Sequence, residues 1–231
     1  MSPRRQTTPL CIPAPSTNVV TKYIEYWDKN KSMKHYRKQE ELIEHLFNPE
    51  NPTPNDDPVL VLEKVCVLES FYSTNLVKNG LDALVRMAEF ICGFKSFDDR
   101  LKEGNVELID EIVRRWKKQN EENKYCLSFA TKYCFHHNRQ KFYIYDNKVM
   151  KMLRHFKNDF KNPFTDMQLK RVKAGHKDHR DVYKCYHDVY EQFMSHYFES
   201  NDIPDYGNQR CRNWCVDKYL WMLGKGILLG K

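Results

Sequence analysis

The sequence predicts an all-α protein, and three observations support this prediction. Of the 231 residues, 41% are hydrophobic and 30% are charged, which is the ordinary balance of a chain that folds around an apolar core. Apolar residues recur in steps of three and four along most of the chain, as in helices with one buried face. Strand signals are few, and the best is the aromatic run at residues 142–145.

Proline separates the predicted elements. Eight of the 10 prolines lie in the first 58 residues, so residues 1–17 are expected to form an irregular arm and residues 48–58 a loop. Asp57 and Pro58 provide a cap and a first-turn proline for the next helix. Residues 18–231 are expected to form a single helical domain. Its helices are predicted near residues 19–30, 36–47, 58–71, 80–92, 105–119, 124–135, 147–157, 180–199 and 210–223.

The basic charge is concentrated in one segment. Residues 132–180 contain 13 Lys/Arg and 4 Asp/Glu, a local charge of +9, whereas the whole chain carries +7. The remaining residues therefore carry −2. A one-sided basic segment suggests a polyanionic partner, most often nucleic acid, although a solvated basic face would have the same composition.

Targeting segments and metal motifs are not evident in the sequence. The chain has no run of about 18 apolar residues, and no apolar segment follows Met1, so we expect a cytoplasmic protein without a membrane partner. In that compartment the eight cysteines are expected to be reduced core thiols. Cys211 and Cys215 lack a second nearby Cys/His pair, and His176 and His179 lack obvious partners, so no metal site is expected.

The candidate chemistry lies between residues 125 and 150. A helix that bears Lys132 is followed by an apolar, aromatic connection that ends at Asp146, where a carboxylate would cap the next helix. A lysine and an aspartate on neighbouring helices can act as a nucleophile and a charge-stabilising carboxylate. A surface lysine and a capping aspartate would produce the same pattern, and on these residues alone that interpretation is favoured.

Two motifs resemble the helix-hairpin-helix DNA glycosylase superfamily, most closely its 8-oxoguanine DNA glycosylase branch, which includes archaeal members. They are the run Leu-Ser-Phe-Ala-Thr-Lys ending at Lys132 and the run Phe-Tyr-Ile-Tyr-Asp ending at Asp146. The resemblance implies that Lys132 is the amine nucleophile and Asp146 the essential carboxylate. It also implies two helical lobes with the site between them. Ser128 and Ala130 stand where the hairpin of that superfamily has glycines.

Further residues fit the same resemblance. Asp217 and Trp221 lie four residues apart on one helix face, and the resemblance implies that they line the pocket for an extruded base. Taken alone, the tryptophan would be a core residue and the aspartate a surface residue. Asn75 ends a Phe-Tyr-Ser-Thr-Asn run that the resemblance places at the gap left in the duplex. The candidate DNA-binding residues are Asn75, Thr131, Arg139 and Lys148.

The resemblance implies a DNA glycosylase that excises a damaged or modified base, such as 8-oxoguanine, with or without AP-lyase activity. The resemblance also implies that the partner is double-stranded DNA and that the enzyme acts as a monomer with neither a metal nor another cofactor. Burial and nearby cations must lower the pKa of Lys132 so that its neutral amine can attack the C1′ carbon. Three alternatives stay open: an anti-phage glycosylase acting on a hypermodified phage base, a non-catalytic DNA-binding module, and a helical interaction protein of toxin–antitoxin type.

Overall fold

A computed structural model describes most of the chain, namely residues 12–48, 51–80, 82–119, 126–157, 181–198 and 210–229. Across these ranges the protein is all-helical, which confirms the predicted fold class, and they contain no β-strand. Much of the basic segment, residues 158–180, lies outside the described residues, as do residues 1–11 of the predicted arm. His176 and His179 are therefore not described either.

The described ranges contain ten α-helices, numbered here in chain order. They are α1 (Thr17–Lys29), α2 (Lys34–Phe47), α3 (Pro58–Tyr72), α4 (Ala83–Cys92), α5 (Phe97–Glu103), α6 (Glu107–Gln119), α7 (Leu127–His137), α8 (Asn147–Phe156), α9 (Val182–Tyr197) and α10 (Arg212–Gly224). Two short 3₁₀ segments, Lys31–Met33 and Leu76–Asn79, precede α2 and α4. Each of the nine predicted helices overlaps one of the observed helices. The prediction missed α5, whose seven residues include only two buried apolar ones, Phe97 and Leu101.

The best strand signal in the sequence, at residues 142–145, does not form a strand, and the predicted connection between two helices is found there. These residues form an irregular connection between α7 and α8. Its backbone groups bond to helix side chains instead of a neighbouring strand: the Tyr143 N–H donates to the Tyr183 hydroxyl (2.8 Å), and the Tyr186 hydroxyl donates to the Ile144 carbonyl (2.6 Å). Buried backbone groups need hydrogen-bond partners, and tyrosine hydroxyls of α9 supply them here instead of a neighbouring strand.

The predicted helix starts are built as expected. Asp57 caps α3 by accepting a hydrogen bond from the Val59 N–H (2.8 Å), and Pro58 occupies the first turn. Asp146 caps α8 by accepting from the Lys148 N–H (2.6 Å). The second cap has a consequence for function, because it fixes a carboxylate at the end of the connection that follows α7.

The buried apolar residues form one cluster, and α7 and α10 run through it. In α7 every residue except Ser128 is buried, and α10 is buried from Asn213 to Leu220. Helices buried on all sides are held by contacts in every direction: α7 packs on α2, α3, α5 and α6, while α10 packs on α1 and α8. Side chains carried by these two helices are therefore placed on the most rigid part of the fold.

Gly224 allows α10 to approach α8 closely. A Cβ at this position would lie 2.7 Å from the Lys148 carbonyl oxygen, closer than non-bonded atoms pack, so a side chain there would push the two helices apart. Cys126 and Cys134 are buried as expected of core thiols, whereas Cys66 is exposed on α3. Within the described ranges no helix has the length and apolar character needed to cross a membrane.

Candidate functional site

One cavity brings together five of the eight residues that the sequence singled out. Its volume is about 300 Å³, at the lower end of the range for small-molecule sites. The walls come from α1, α2, α3, α7, α8 and α10 and from the connection before α8. The five residues that line it are Lys132, Asp146, Lys148, Asp217 and Trp221. Four further aromatic side chains line it as well: Trp27, Tyr36, Phe71 and Tyr72.

Lys132 lies on the buried helix α7 and is only 1% exposed. Its Nζ donates to the Ser128 hydroxyl (2.6 Å) and to the Ser128 carbonyl (3.2 Å), and it lies 3.5 Å from the Tyr145 carbonyl. It also lies 5.3 Å from the centroid of the Tyr72 ring, close enough for a cation–π contact. Among the described residues, the amine is thus held by neutral groups and contacts no carboxylate directly.

Burial lowers the pKa of Lys132 to about 8. The negative charges of Asp146 and Asp217 oppose this shift, and the positive charge of Lys148 adds to it. At pH 7 an amine with that pKa is neutral in roughly one molecule in ten, far more often than an ordinary lysine. In the described part of the chain no ion pair within 4.0 Å joins Lys132 to either carboxylate, so these charges act across the cavity.

Asp146 is half-buried at the start of α8, and its cap bond fixes its orientation. The Oδ1 atom accepts from the Lys148 N–H, so the carboxylate cannot rotate freely. A carboxylate held in this way is preorganised to stabilise a positive charge that develops in the cavity.

Asp217 on α10 is 5% exposed, and burial raises the pKa of its carboxyl group to about 7. The positive charge of Lys218 opposes this shift, while Asp146 and Glu40 add to it. Its Oδ1 atom has no hydrogen-bond partner among the described residues. Because a buried carboxylate oxygen without a partner is costly, this atom indicates a position that a polar ligand group would fill.

Trp221 lies one turn after Asp217 and belongs both to the cavity wall and to an aromatic cluster. Its ring meets Trp27 and Tyr36 edge-on, with centroid distances of 6.3 Å and 5.0 Å. The ammonium of Lys225 lies 4.1 Å from the Trp221 ring centroid. Lys225 is exposed, and its ammonium also donates to the Tyr36 hydroxyl, so a group that stacks on Trp221 would have to displace this contact.

Thr131 and Arg139 were predicted to contact DNA, but the structure places both in the interior. Arg139 is 2% exposed, and its guanidinium makes ion pairs with Glu40 (2.9 Å) and Glu44 (3.0 Å). The Thr131 hydroxyl accepts from the Tyr145 N–H (3.1 Å) and so ties α7 to the following connection. Neither side chain is presented to a DNA phosphate. No pattern in the sequence indicates the α2 carboxylates, which lie more than 90 residues before Arg139.

The two other predicted DNA-binding residues differ in position. Lys148 is half-buried and lines the cavity. Asn75 is exposed in a left-handed conformation (φ 67°) at the start of a 3₁₀ segment, and it does not line the cavity. Ser73, two residues earlier, does line it. A DNA contact by Asn75 stays a prediction.

Sequence reasoning missed Glu40, which organises one wall of the cavity. Its carboxylate accepts from Lys218 (2.8 Å), from the Trp214 indole (3.0 Å) and from Arg139. Burial alone would raise its pKa, but Lys218 and Arg139 hold the pKa of Glu40 well below its usual range. Glu40 therefore remains ionised and keeps the Lys218 ammonium at the cavity wall. In the sequence it is one of several acidic residues of an amphipathic helix, so no local signal marks it.

Tyr72 was also missed, and a neutral histidine positions its hydroxyl group. Burial lowers the pKa of His136 well below its usual range. Arg139 Nη2 lies 3.3 Å from His136 Nδ1, and a guanidinium only donates, so Nδ1 accepts. The hydrogen of the neutral ring is then on Nε2 and donates to the Tyr72 hydroxyl at 3.0 Å. The Tyr72 ring is thereby fixed beneath the Lys132 amine.

No group of three His, Cys, Asp or Glu side chains is placed to hold a metal ion in the ranges that the structure describes. The polar groups of the cavity are instead lysines and carboxylates, alongside its aromatic side chains. These features define an all-helical protein with a buried, partly neutral lysine facing two carboxylates across an aromatic cavity.

Comparison with known proteins places the chain in a family. Residues 19–141 match the model of HI_0787_N, described as an N-terminal domain, and the chain belongs to this family. It is 34% identical over 167 residues to a Haemophilus influenzae protein named "Uncharacterized protein", an alignment that covers 72% of this chain and 67% of that one. No solved structure matches the chain. The matched domain contains Lys132 but ends before Asp146, Asp217 and Trp221.

Proposed function

We propose that this protein is a DNA glycosylase of the helix-hairpin-helix type, which removes a damaged or modified base through Lys132 as nucleophile. One observation carries the proposal. Lys132 and Asp146 come from one part of the sequence and Asp217 and Trp221 from another, and all four line the same cavity around an amine of lowered pKa. A surface lysine and a merely capping aspartate would not be expected to meet in this way.

The proposed reaction begins when a nucleotide is extruded from the duplex into the cavity. The neutral Lys132 amine attacks the C1′ carbon, a bond forms between Nζ and C1′, and the electrons of the glycosidic bond leave with the base. Asp146 stabilises the positive charge that develops on the sugar. The attack leaves a secondary ammonium on C1′, whose proton passes to the departing base. The nitrogen lone pair then breaks the C1′–O4′ bond as O4′ takes a proton from solvent, which gives a protonated Schiff base from which β-elimination can cleave the strand.

The cavity lining suits a nucleobase. Trp221 and Tyr36 offer aromatic surfaces for stacking once Lys225 moves, which contributes on the order of 1–3 kcal/mol per base. The unpartnered Oδ1 of Asp217 can accept a hydrogen bond from an N–H group of a base. Because its pKa is about 7, the same carboxyl group is partly protonated at neutral pH and can also donate.

A basic edge of α8 starts at the cavity and supports DNA as the partner. Lys148 lines the cavity, and Lys151 and Arg154 follow at intervals of three residues with exposed side chains. Residues three apart on a helix lie along one side of it. These cations could follow a phosphate backbone away from an extruded nucleotide.

The test is base release and borohydride trapping on duplexes that each carry one damaged or modified base, including 8-oxoguanine and a glucosylated hydroxymethylcytosine. We expect wild-type protein to release one base class and to form a covalent adduct. The Lys132→Gln variant should bind the same duplex and form no adduct, whereas Lys29→Gln, an exposed lysine at the end of α1 and the matched control, should still trap. If Lys132→Gln is trapped at the wild-type rate, Lys132 is not the nucleophile. DNA binding without release of any base would favour a non-catalytic module instead.

Duplex binding should also depend strongly on salt. If the protein neutralises six phosphates, log K should fall with log salt concentration with a slope of about −5. A fluorescence-anisotropy titration at several salt concentrations measures this slope. An affinity that does not change with salt would count against nucleic acid as the partner.

A further inference from the structure

The hydroxyl group of Ser128 makes the shortest contact to the Lys132 amine. Ser128 lies one helical turn before Lys132 and supplies two of the three acceptors near Nζ, its hydroxyl at 2.6 Å and its carbonyl at 3.2 Å. The third is the Tyr145 carbonyl at 3.5 Å. Three acceptors match the three N–H groups of an ammonium.

These acceptors are not equivalent when the amine loses a proton. The two carbonyls can only accept, so a neutral amine keeps its two remaining N–H groups directed at them. Its lone pair then faces the Ser128 hydroxyl, because a hydroxyl can donate as well as accept. The proton that Lys132 loses is therefore the one that points to Ser128 Oγ.

Exposure supports the same route for the proton. Lys132 is 1% exposed, whereas Ser128 is the one residue of α7 that is not buried. A proton that leaves the amine along α7 thus meets the Ser128 hydroxyl before it meets solvent. The titratable and charged groups around the amine come from several elements, namely Tyr72 from α3, His136 from α7, Asp146 and Lys148 at the start of α8, and Asp217 from α10.

We propose that Ser128 is the positioning residue of the nucleophile, holding the Lys132 amine and passing its proton to solvent. This inference rests on the proposed function of Lys132. In the step, an Nζ–H bond breaks and its proton goes to Ser128 Oγ, while the original hydroxyl proton passes to a solvent water or a buffer base. Serine ends as a neutral hydroxyl, the amine ends neutral, and one proton enters solvent.

Ser128 stands where the hairpin of the helix-hairpin-helix superfamily has a glycine, and its hydroxyl group explains what a serine adds at this position. A glycine at position 128 would keep the carbonyl contact but would leave the third N–H group of the ammonium without the hydroxyl. Ser128 therefore adds a proton-transfer contact that a glycine lacks.

The experiment compares the variants Ser128→Ala and Ser128→Thr with the wild-type protein. The matched control is Ser195→Ala, because Ser195 is an exposed serine on helix α9. The first measurement needs no DNA: acetic anhydride labelling of Lys132, read by mass spectrometry from about pH 6 to about pH 10. Ser128→Ala should lower the pKa of Lys132 by about one unit, because the ammonium loses its shortest acceptor. Ser128→Thr and Ser195→Ala should titrate like wild type.

The second measurement is the rate of borohydride trapping. Although more of its amine is neutral, Ser128→Ala should trap about 10-fold more slowly, and imidazole buffer should restore part of the rate by accepting the proton. An unchanged labelling profile in Ser128→Ala would overturn the inference, as would an unchanged trapping rate. If no protein traps at all but the labelling profile shifts as expected, the positioning contact stands and the glycosylase proposal fails.

Discussion

Lys64 on α3 and Lys132 on α7 are two lysines that the fold buries in different surroundings. Each is 1% exposed, and burial lowers the pKa of each to about 8. Two adjacent histidines of α7 each lie near one of these lysines. His136 bonds to Tyr72, whose ring lies beneath the Lys132 amine, and His137 Nε2 lies 3.5 Å from the Lys64 amine. By burial and pKa alone, the two lysines cannot be told apart.

Their surroundings separate them. The Lys64 amine lies 3.3 Å from the Thr53 carbonyl and 3.4 Å from Asn55 Oδ1, and the carboxylate that acts on its pKa, Asp98, is already bonded to Asn55. Lys64 lines neither the cavity that contains Lys132 nor the cavity lined by its neighbours Thr53, Asp98 and His137. Lys132 instead faces open space with two carboxylates across it. A lowered pKa therefore indicates a functional amine only where space for a substrate lies beside it.

The largest effect that tests this comparison comes from the same substitution at both sites. Lys132→Met should reduce base excision at least about 1,000-fold, because it removes the nucleophile. Lys64→Met should leave excision within a few-fold of wild type, because it replaces a buried amine by an apolar group of similar length. Single-turnover excision rates measure both. If the two variants lose the same fraction of the excision rate while equally folded, Lys132 has no role in the reaction that Lys64 lacks.

The next effect compares the acidic residues near each lysine. Asp146→Asn should slow excision about 100-fold, because asparagine keeps the helix cap but carries no charge to stabilise the sugar cation. Asp98→Asn, near Lys64, should have no effect on the rate. Circular dichroism melting curves show whether the cap survives in Asp146→Asn. A rate within a few-fold of wild type would remove Asp146 from the reaction.

Trp221→Ala should have a smaller effect, between about 5-fold and 150-fold on excision, from the loss of about 1–3 kcal/mol of stacking. Nonspecific duplex binding should change much less. Because Trp221 also packs on Trp27 and Tyr36, thermal stability is the necessary control. Activity lost only in proportion to lost folded protein would make Trp221 a packing residue, and the base-pocket role of Asp217 would be withdrawn with it.

The smallest expected effect is on stability. For both lysines the pKa in the folded state, about 8, lies below the unfolded value of 10.5, so the unfolded state binds more protons between these values. Stability should therefore rise with pH through this window. Between about pH 7 and pH 9 each lysine should contribute about 1 kcal/mol to the rise. Urea denaturation at the two pH values measures the increase in the free energy of unfolding, which should be smaller by about 1 kcal/mol in each Met variant than in wild type. If the increase in either variant equals that of wild type, burial does not lower the pKa of that lysine.

The all-α fold class was predictable because helical periodicity is a local signal, and the missed helix α5 is too short to display it. The site was predictable only where its residues are close in sequence or form part of a short motif. Asp217 and Trp221 share a helix face, and Asp146 caps the helix after Lys132. Glu40 joins Lys218 across 178 residues, and no pattern in either helix reveals that pairing.

Two further features of the sequence mark one buried lysine and the neighbour of another. Lys64 lies in an apolar stripe with Val61, Val65 and Leu68, which places a lysine at a core position. Ser128 lies four residues before Lys132, the spacing at which helix side chains meet, and the two are in hydrogen-bond contact. Arg139 misled the prediction in the opposite way to these two residues. Its basic side chain indicated a role at the surface, but carboxylates of α2 hold it in the core.

The most direct test of the central claim is to identify the lysine that carries the adduct. Wild-type protein is trapped with borohydride on the duplex that it processes, digested with a protease, and the modified peptide is sequenced by mass spectrometry. We predict a single adduct on Lys132. An adduct on Lys64, Lys148, Lys218 or Lys225, or base release without any adduct, would contradict the assignment of Lys132 as the nucleophile.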